Sequence, residues 1–235
     1  MRVLVTRPQH SGERTAKRLR ELGHEPILLP LSRPVHDPKA ALGGLSMTTG
    51  SIAITSAEAI RALAPHTLGL AIHLERPVFA VGDATAEEAR AIGFTSVTAS
   101  SGSGIELAET IAKHAGGAVV YLAGSPRAAT FERRAQETGL QIVVVECYRM
   151  EPIEPSPETL ETILTDQRPD AVLLYSRQTA ENFFHAAAAQ MQDGSTEGMR
   201  FLCLSKSVGE VIPASMQSAV SIAEMPEERS LLSLL

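Results

Sequence analysis

The chain has only two cysteines, Cys147 and Cys203, each alone in a strand-like segment without CxxC or Cys/His spacing. That excludes a disulfide framework and a zinc site, and both read as small buried side chains. No apolar run approaches the ~18 residues of a membrane span. Met1 leads at once into the strand-like Arg2-Val3-Leu4-Val5-Thr6, not into a basic region followed by an apolar stretch, so a cytoplasmic protein without a membrane partner is expected. Basic excess is lacking too: 21 Lys and Arg against 27 Asp and Glu give a formal charge of -6. A general nucleic-acid binder needs a basic field and is excluded. The local basic run Arg14, Lys17, Arg18 and Arg20 reads as a solvated helix face. The familiar catalytic signatures are also missing: GxGxxG at the first helix, GxxxxGK[ST], GxSxG and HExxH. Gly102-Ser103-Gly104 is a broken imitation of a dinucleotide loop that precedes the last helix of its domain, and it is set aside. The seven histidines are scattered without metal-ligand spacing and most are expected to be exposed. Neither a metal nor a redox cofactor is expected.

What the chain does have is an ordinary folded composition, 44% hydrophobic and 20% charged over 235 residues, a length that predicts one large or two small domains, with two as the working number. A repeated unit organises them. A short aliphatic strand runs into a turn of small and polar residues and then an alanine-rich helix. Val3-Leu4-Val5-Thr6-Arg7-Pro8 leads to a helix with Ala16, Leu19 and Leu22 on one side, stopped by Gly23, and then to a strand over Ile27–Leu31. Val119-Val120-Tyr121-Leu122 leads through Ala123-Gly124-Ser125-Pro126 to a helix with Phe131 and Ala135, stopped by Gly139, and then to Ile142-Val143-Val144-Val145. Ile52 to Ala59 matches Val172 to Ala180, and Val78 to Thr85 matches Phe201 to Val208. The strands Ser96–Ala99 and Ala219–Ile222 each lead to a terminal helix, at 104–115 and about 226–235.

Each set supplies five strands with intervening helices, the content of a small doubly wound parallel sheet of flavodoxin-like type. The order along the chain inserts one set into the other. The expected division is a discontinuous α/β domain at 1–33 and 153–235, an inserted α/β domain at 39–146, and two linker strands at 34–38 and 147–152 that lie side by side. Pro152, Pro155 and Pro157 discourage a continuous helix at the return crossing. Two lobes joined in this way leave a natural ligand cleft. The ligand edge of such sheets is the carboxyl end of the strands. Topology therefore points to Thr6-Arg7, Thr55-Ser56, Gly82 to Thr85, Gly124 to Arg127, Tyr175-Ser176 and Ser205 to Ser207.

Helix N-termini with serine and threonine hydroxyls suit a ligand carrying several carboxylates or phosphates. The same residues, Ser56, Thr85, Ser176 and Ser207, also read as plain N-caps. Tyr148 stands where the Ile142–Val145 strand ends and the chain begins its return. There it either donates a proton or packs against the paired linker. Tyr121 and Tyr175 read as core or loop-packing residues.

Taken in order, Val5 to Pro8, Thr55-Ser56, Val81 to Ala86, Val145-Glu146-Cys147-Tyr148-Arg149, Leu174-Tyr175-Ser176 with Phe183, and Cys203-Leu204-Ser205 make the whole chain resemble the uroporphyrinogen-III synthase family. The resemblance implies two α/β lobes joined by a two-stranded ladder, with no cofactor. It implies that hydroxymethylbilane, a linear tetrapyrrole with eight carboxylates, binds between the lobes. Its terminal hydroxyl leaves as water to give an azafulvene, a spiro intermediate forms and reopens, and the ring closes with the last pyrrole inverted. Dehydration of so electron-rich a pyrrole is intrinsically accessible, so the protein's main task is conformational, and few acid–base residues are needed. Tyr148 falls on the family's tyrosine and is the candidate general acid. Arg7, Thr55, Ser56, Gly82, Thr85, Ser176 and Ser207 are the candidate substrate contacts. Many members have Gly-x-Thr where this chain has Ser205-Lys206-Ser207, which leaves a threonine's role to Ser207, while Lys206 either meets a carboxylate or faces solvent. Arg7, directly before Pro8, serves either structure or substrate. A cytoplasmic ligand-binding or regulatory module without catalysis is the alternative, because two lobes around a cleft also describe proteins that only close on a ligand. The surface composition is that of a monomer.

Overall fold

Short runs of β-branched and aliphatic residues form the strands of a computed structural model that describes residues 1–100, 103–114, 116–192 and 196–235. The strands are β1 (Arg2–Val5), β2 (Glu25–Leu28), β3 (Ser32–His36), β4 (Ile52–Ile54), β5 (Val78–Val81), β6 (Val97–Ser100), β7 (Val119–Ser125), β8 (Ile142–Pro152), β9 (Ala171–Leu174), β10 (Arg200–Cys203) and β11 (Val220–Ile222). The chain divides into two compact units, one of Met1–Arg33 with Glu151–Leu235, the other of Pro34–Met150.

The first unit holds a five-stranded sheet in the order β11-β10-β9-β1-β2, every pair parallel. Read from the other edge, this is the flavodoxin-like order, with the chain reversing direction between β1 and β9. Val3, Leu4 and Val5 are fully buried, as are all four residues of β9. Continuous apolar runs of this kind arise because helices cover both faces of a parallel sheet. Alternation sorts the side chains: Leu4, Val172, Leu174 and Phe201 meet Phe183 and Leu160 on one face. Val3, Val5, Leu173 and Leu202 meet Leu19 and Leu231 on the other.

The second unit holds a six-stranded sheet in the order β3-β8-β7-β4-β5-β6. The pairs from β8 through β6 are parallel. Its five parallel strands repeat the order of the first sheet with the strand–helix–strand unit of β7 and β8 moved from first to last in the chain. The reversal falls between β7 and β4. Ile52, Ile54, Val120 and Leu122 pack on Ile60 and Leu63. Ala53, Phe79, Val119 and Tyr121 pack on Leu107, Ile111 and Phe131.

Local details depart from the sequence expectations. The first helix, Gln9–Glu21, buries Ala16 and Leu19 as expected, but Leu22 is 56% exposed. It lies past the last helical residue, and Gly23 turns the chain at φ 81°. The strand expected over Ile27–Leu31 is β2 at Glu25–Leu28, and beyond it the Leu29 and Leu31 N–H groups still donate to the Val5 and Thr6 carbonyls at 3.0 and 3.3 Å. Tyr148 is not at a strand end. β8 runs unbroken through it to Pro152, and the next helix starts at Pro157. The last helix spans only Glu228–Leu232 rather than about 226–235, and the other terminal helix spans Gly104–His114. Gly102 of the broken glycine motif lies outside the described residues.

Candidate active site

The reversal point of the second sheet lies at the carboxyl ends of β7 and β4, where the helix Ala57–Leu63 begins. A register shift between Ala123 and Gly124 pairs Ala123 with Glu146 but Gly124 with Tyr148, so Cys147 is the extra residue of a β-bulge. A bulge of this kind re-aims the side chain that follows it. The Cys147 thiol turns inward and donates to the Ala123 carbonyl at 3.5 Å. Burial pushes that thiol up to about 12, so it is no nucleophile at neutral pH. Tyr148 is half-buried, and its ring lies directly on the Gly124 backbone. A Cβ added to Gly124 would stand 2.2 Å from Tyr148 Cζ and 2.5 Å from its Oη, so no residue but glycine fits beneath the phenol. Arg127 Nη1 donates to the Gly124 carbonyl at 3.3 Å and to Glu146 at 2.6 Å, and its Nε donates to Glu132 at 2.6 Å, bracing the same turn.

Burial raises the Tyr148 phenol above its ordinary value, and the nearby Ser56 hydroxyl pulls the other way. Ser56 is at the same time the N-cap of the helix Ala57–Leu63, its Oγ accepting the Glu58 N–H at 3.3 Å. Its neighbour Thr55 shares a 2.9 Å hydrogen bond with the hydroxyl of the buried Tyr121. Gly82 caps the helix Asp83–Ala91 at φ 74°, a conformation that disfavours other residues, and Thr85 in that helix's first turn is 7% exposed.

Near Tyr148 lies a charge cluster that sequence reading missed. Glu58 is buried, accepts or shares a proton with His36 Nε2 at 2.9 Å, and pairs with Arg61, which also pairs with Glu88. The His36 ring centroid is 6.4 Å from that of Tyr148. A signal for this cluster was present. Ala57, Ala59, Ile60, Ala62 and Leu63 make the helix apolar nearly all round, so Glu58 and Arg61, three apart, had to satisfy each other in the interior. The expectation that most histidines are exposed holds for His10, His114 and His185, but His24 and His36 are half-buried and His73 is buried. Burial, with the charge of Arg76 beside it, lowers His73.

In the first unit the expected edge residues are occupied from within. Arg7 donates to Glu228 Oε1 at 2.8 Å and to Thr15 Oγ1 at 3.2 Å, and its guanidinium lies 4.2 Å over the Tyr175 ring. The same carboxylate oxygen accepts from Thr15 at 2.5 Å and from Tyr175 at 2.8 Å, while Arg18 pairs with the other oxygen. Arg18 makes this pair while 54% exposed, on the solvated face expected of its run. Glu228 carried no sequence signal, standing 221 residues from Arg7 without periodicity. Ser176 caps its helix by accepting the Thr179 N–H at 3.1 Å and donates to Thr179 Oγ1 at 2.8 Å. Ser207 is exposed and shares a 3.0 Å hydrogen bond with Ser205. Among the described residues no three His, Cys, Asp or Glu side chains group to hold a metal. Among the described residues, no helix is long and apolar enough to cross a membrane.

The fold has solved counterparts. The uroporphyrinogen-III synthetase of Helicobacter pylori aligns over 100% of this chain and 98% of its own, at 15% identity and a TM-score of 0.65. A mutant uroporphyrinogen III synthase from Thermus thermophilus aligns over 99% of this chain and 96% of its own, at 17% identity and a TM-score of 0.57. At such identities the likeness is one of fold. None of the curated proteins compared matches the chain. The sequence model of the family described as uroporphyrinogen-III synthase HemD matches residues 13–233, nearly the whole length, and the chain belongs to that family.

Proposed function

We propose that this chain cyclises hydroxymethylbilane to uroporphyrinogen III, with Tyr148 as the group that protonates the departing hydroxyl. Family membership supports the reaction class. The observation that carries the residue assignment is the seating of Tyr148 on Gly124 at the carboxyl edge of the second sheet. A phenol whose ionisation is raised by burial stays protonated across the neutral range, so it serves as an acid and not as a base. As its proton moves to the leaving oxygen, the C–O bond breaks with its electron pair going to water, and the adjacent pyrrole nitrogen supplies electrons to give the azafulvenium. Closure later releases a proton from the attacking pyrrole, and the tyrosinate takes it back. No electron is gained or lost overall, so the chemistry asks for proton handling and conformational control. Ser176, Ser207, Thr85 and Gly82 are the candidate contacts for substrate carboxylates. Thr55 and Arg7 hold Tyr121 and Glu228, and their contribution to substrate comes second to those bonds.

Incubating the protein with freshly made hydroxymethylbilane and separating the uroporphyrin isomers after oxidation tests the reaction. Enrichment of the type III isomer is expected, and type I alone at the spontaneous rate identifies a binder without catalysis. Tyr148→Phe is expected to lower turnover by about 10² without abolishing it, the lower end of the range for losing a general acid. A wild-type rate in this variant removes Tyr148 from the chemistry.

A further inference from the structure

We propose that His36 is a proton acceptor working beside Tyr148, taking the N–H proton of the same pyrrole ring whose hydroxyl Tyr148 protonates. The inference rests on the cyclisation proposed above. In a hydroxymethylpyrrole the hydroxyl oxygen and the ring nitrogen are separated by only two carbons, so an acid for one and a base for the other must be neighbours. His36 and Tyr148 meet that requirement, with ring centroids 6.4 Å apart. Backbone pairing keeps them together. His36 ends β3, and the next residue, Asp37, donates its N–H at 2.7 Å to the carbonyl of Cys147, which directly precedes Tyr148 on β8.

The partner of His36 decides which of its nitrogens is free. Nε2 lies 2.9 Å from Glu58 Oε2, and the Glu58 carboxylate, paired with the Arg61 guanidinium, acts as acceptor for the imidazole N–H. The ring proton therefore sits on Nε2, and Nδ1 keeps a lone pair. Among the described residues nothing bonds to that Nδ1. The His36 side chain is 28% exposed against 9% for Glu58, so the imidazole is reached from outside while the carboxylate that orients it is sealed in. A carboxylate that fixes the tautomer of a base and then faces the imidazolium is the arrangement that general-base histidines use.

Protons and electrons balance. Tyr148 gives its proton to the leaving oxygen, and the C–O pair departs with water. The azafulvenium N–H bond then breaks toward Nδ1, its pair staying on nitrogen, to give the neutral azafulvene. Imidazolium and tyrosinate stand as opposite charges on adjacent rings and stabilise each other. When the terminal pyrrole attacks the exocyclic carbon, an electron pair returns to the nitrogen, which takes its proton back from His36.

His36→Gln keeps an N–H donor for Glu58 but has no basic nitrogen. Its turnover of hydroxymethylbilane is expected to fall about 10²-fold with KM little changed. His36→Ala is expected to regain turnover saturably when imidazole is added, which a merely structural histidine would not allow. Nitrogen resonances of labelled histidine, with those of His36 assigned by their loss in His36→Gln, report the tautomer directly. The neutral ring in the unliganded wild-type protein is expected to carry its proton on Nε2, and Glu58→Gln to mix the two forms. Undiminished turnover in a folded His36→Gln protein overturns the proposal, and so does a wild-type ring protonated on Nδ1. If His36→Gln loses turnover and imidazole rescues His36→Ala while Tyr148→Phe keeps the full rate, His36 stands and the proton-donor reading of Tyr148 fails. Type I isomer alone from the wild-type protein defeats the cyclisation reading itself, and the assignment of His36 with it.

Discussion

At the reversal point of the first sheet, Arg7, Thr15, Tyr175 and Arg18 all spend hydrogen bonds on one carboxylate, Glu228. At the matching point of the second sheet, Tyr148 lies on Gly124, Ser56 accepts the Glu58 N–H, and the Glu58 carboxylate is turned to Arg61 and His36. The strand order is the same in both, so topology puts polar residues at the same edge twice. A single acid from the C-terminal helix makes one edge a structural joint, while a bulge and a glycine make the other a place where a phenol is presented. Fold sets the location, and the residues grafted onto it set the use.

This contrast predicts that the two edges fail differently. The largest effect on stability is expected from Glu228→Ala. Two guanidiniums, a phenol and a threonine hydroxyl lose their acceptor at once, a loss of about 2–4 kcal/mol after allowing for the solvent that reaches Arg18. Urea unfolding measures it, and a loss under about 1 kcal/mol would put the first edge on the same footing as the second. Gly124→Ala comes next in stability, at about 1–3 kcal/mol for forcing a methyl into an occupied space. It should cost at least as much turnover as Tyr148→Phe, because the phenol itself is pushed aside. Gly12→Ala in the first unit, where the added methyl meets Leu28 at an ordinary 3.4 Å, is the matched control and should change neither stability nor turnover appreciably. Thr55→Val is the mildest. It strips the buried Tyr121 of its partner, costing about 1 kcal/mol by thermal or urea unfolding, with Thr55→Ser recovering it.

Much of this layout could be read from residue order alone, and the physical reasons are specific. β1, β4, β7 and β9 are short runs of Val, Leu, Ile and Ala buried on both faces, and such runs are hard to mistake for anything but central parallel strands. Ser56 and Ser176 were found because caps follow strand ends in a fixed relation. The misses concern partners far apart in the chain. Glu58 with His36, and Glu228 with Arg7, lie 22 and 221 residues apart, and no local propensity encodes such a meeting. The bulge at Cys147 was equally hidden, since one extra residue in β8 leaves the apolar pattern of Val143, Val144 and Val145 unchanged while reversing what Tyr148 faces.

The ion pair between Arg33 and Glu151, 3.0 Å from Nη2 to Oε2, joins the two residues at which the first unit's polypeptide is interrupted. Stumps held that near each other can be sutured by a few added residues, giving residues 1–33 and 151–235 as one uninterrupted polypeptide. Residues 34–150 could then travel separately, carrying Tyr148, Gly124 and Ser56 with them as a transplantable cassette.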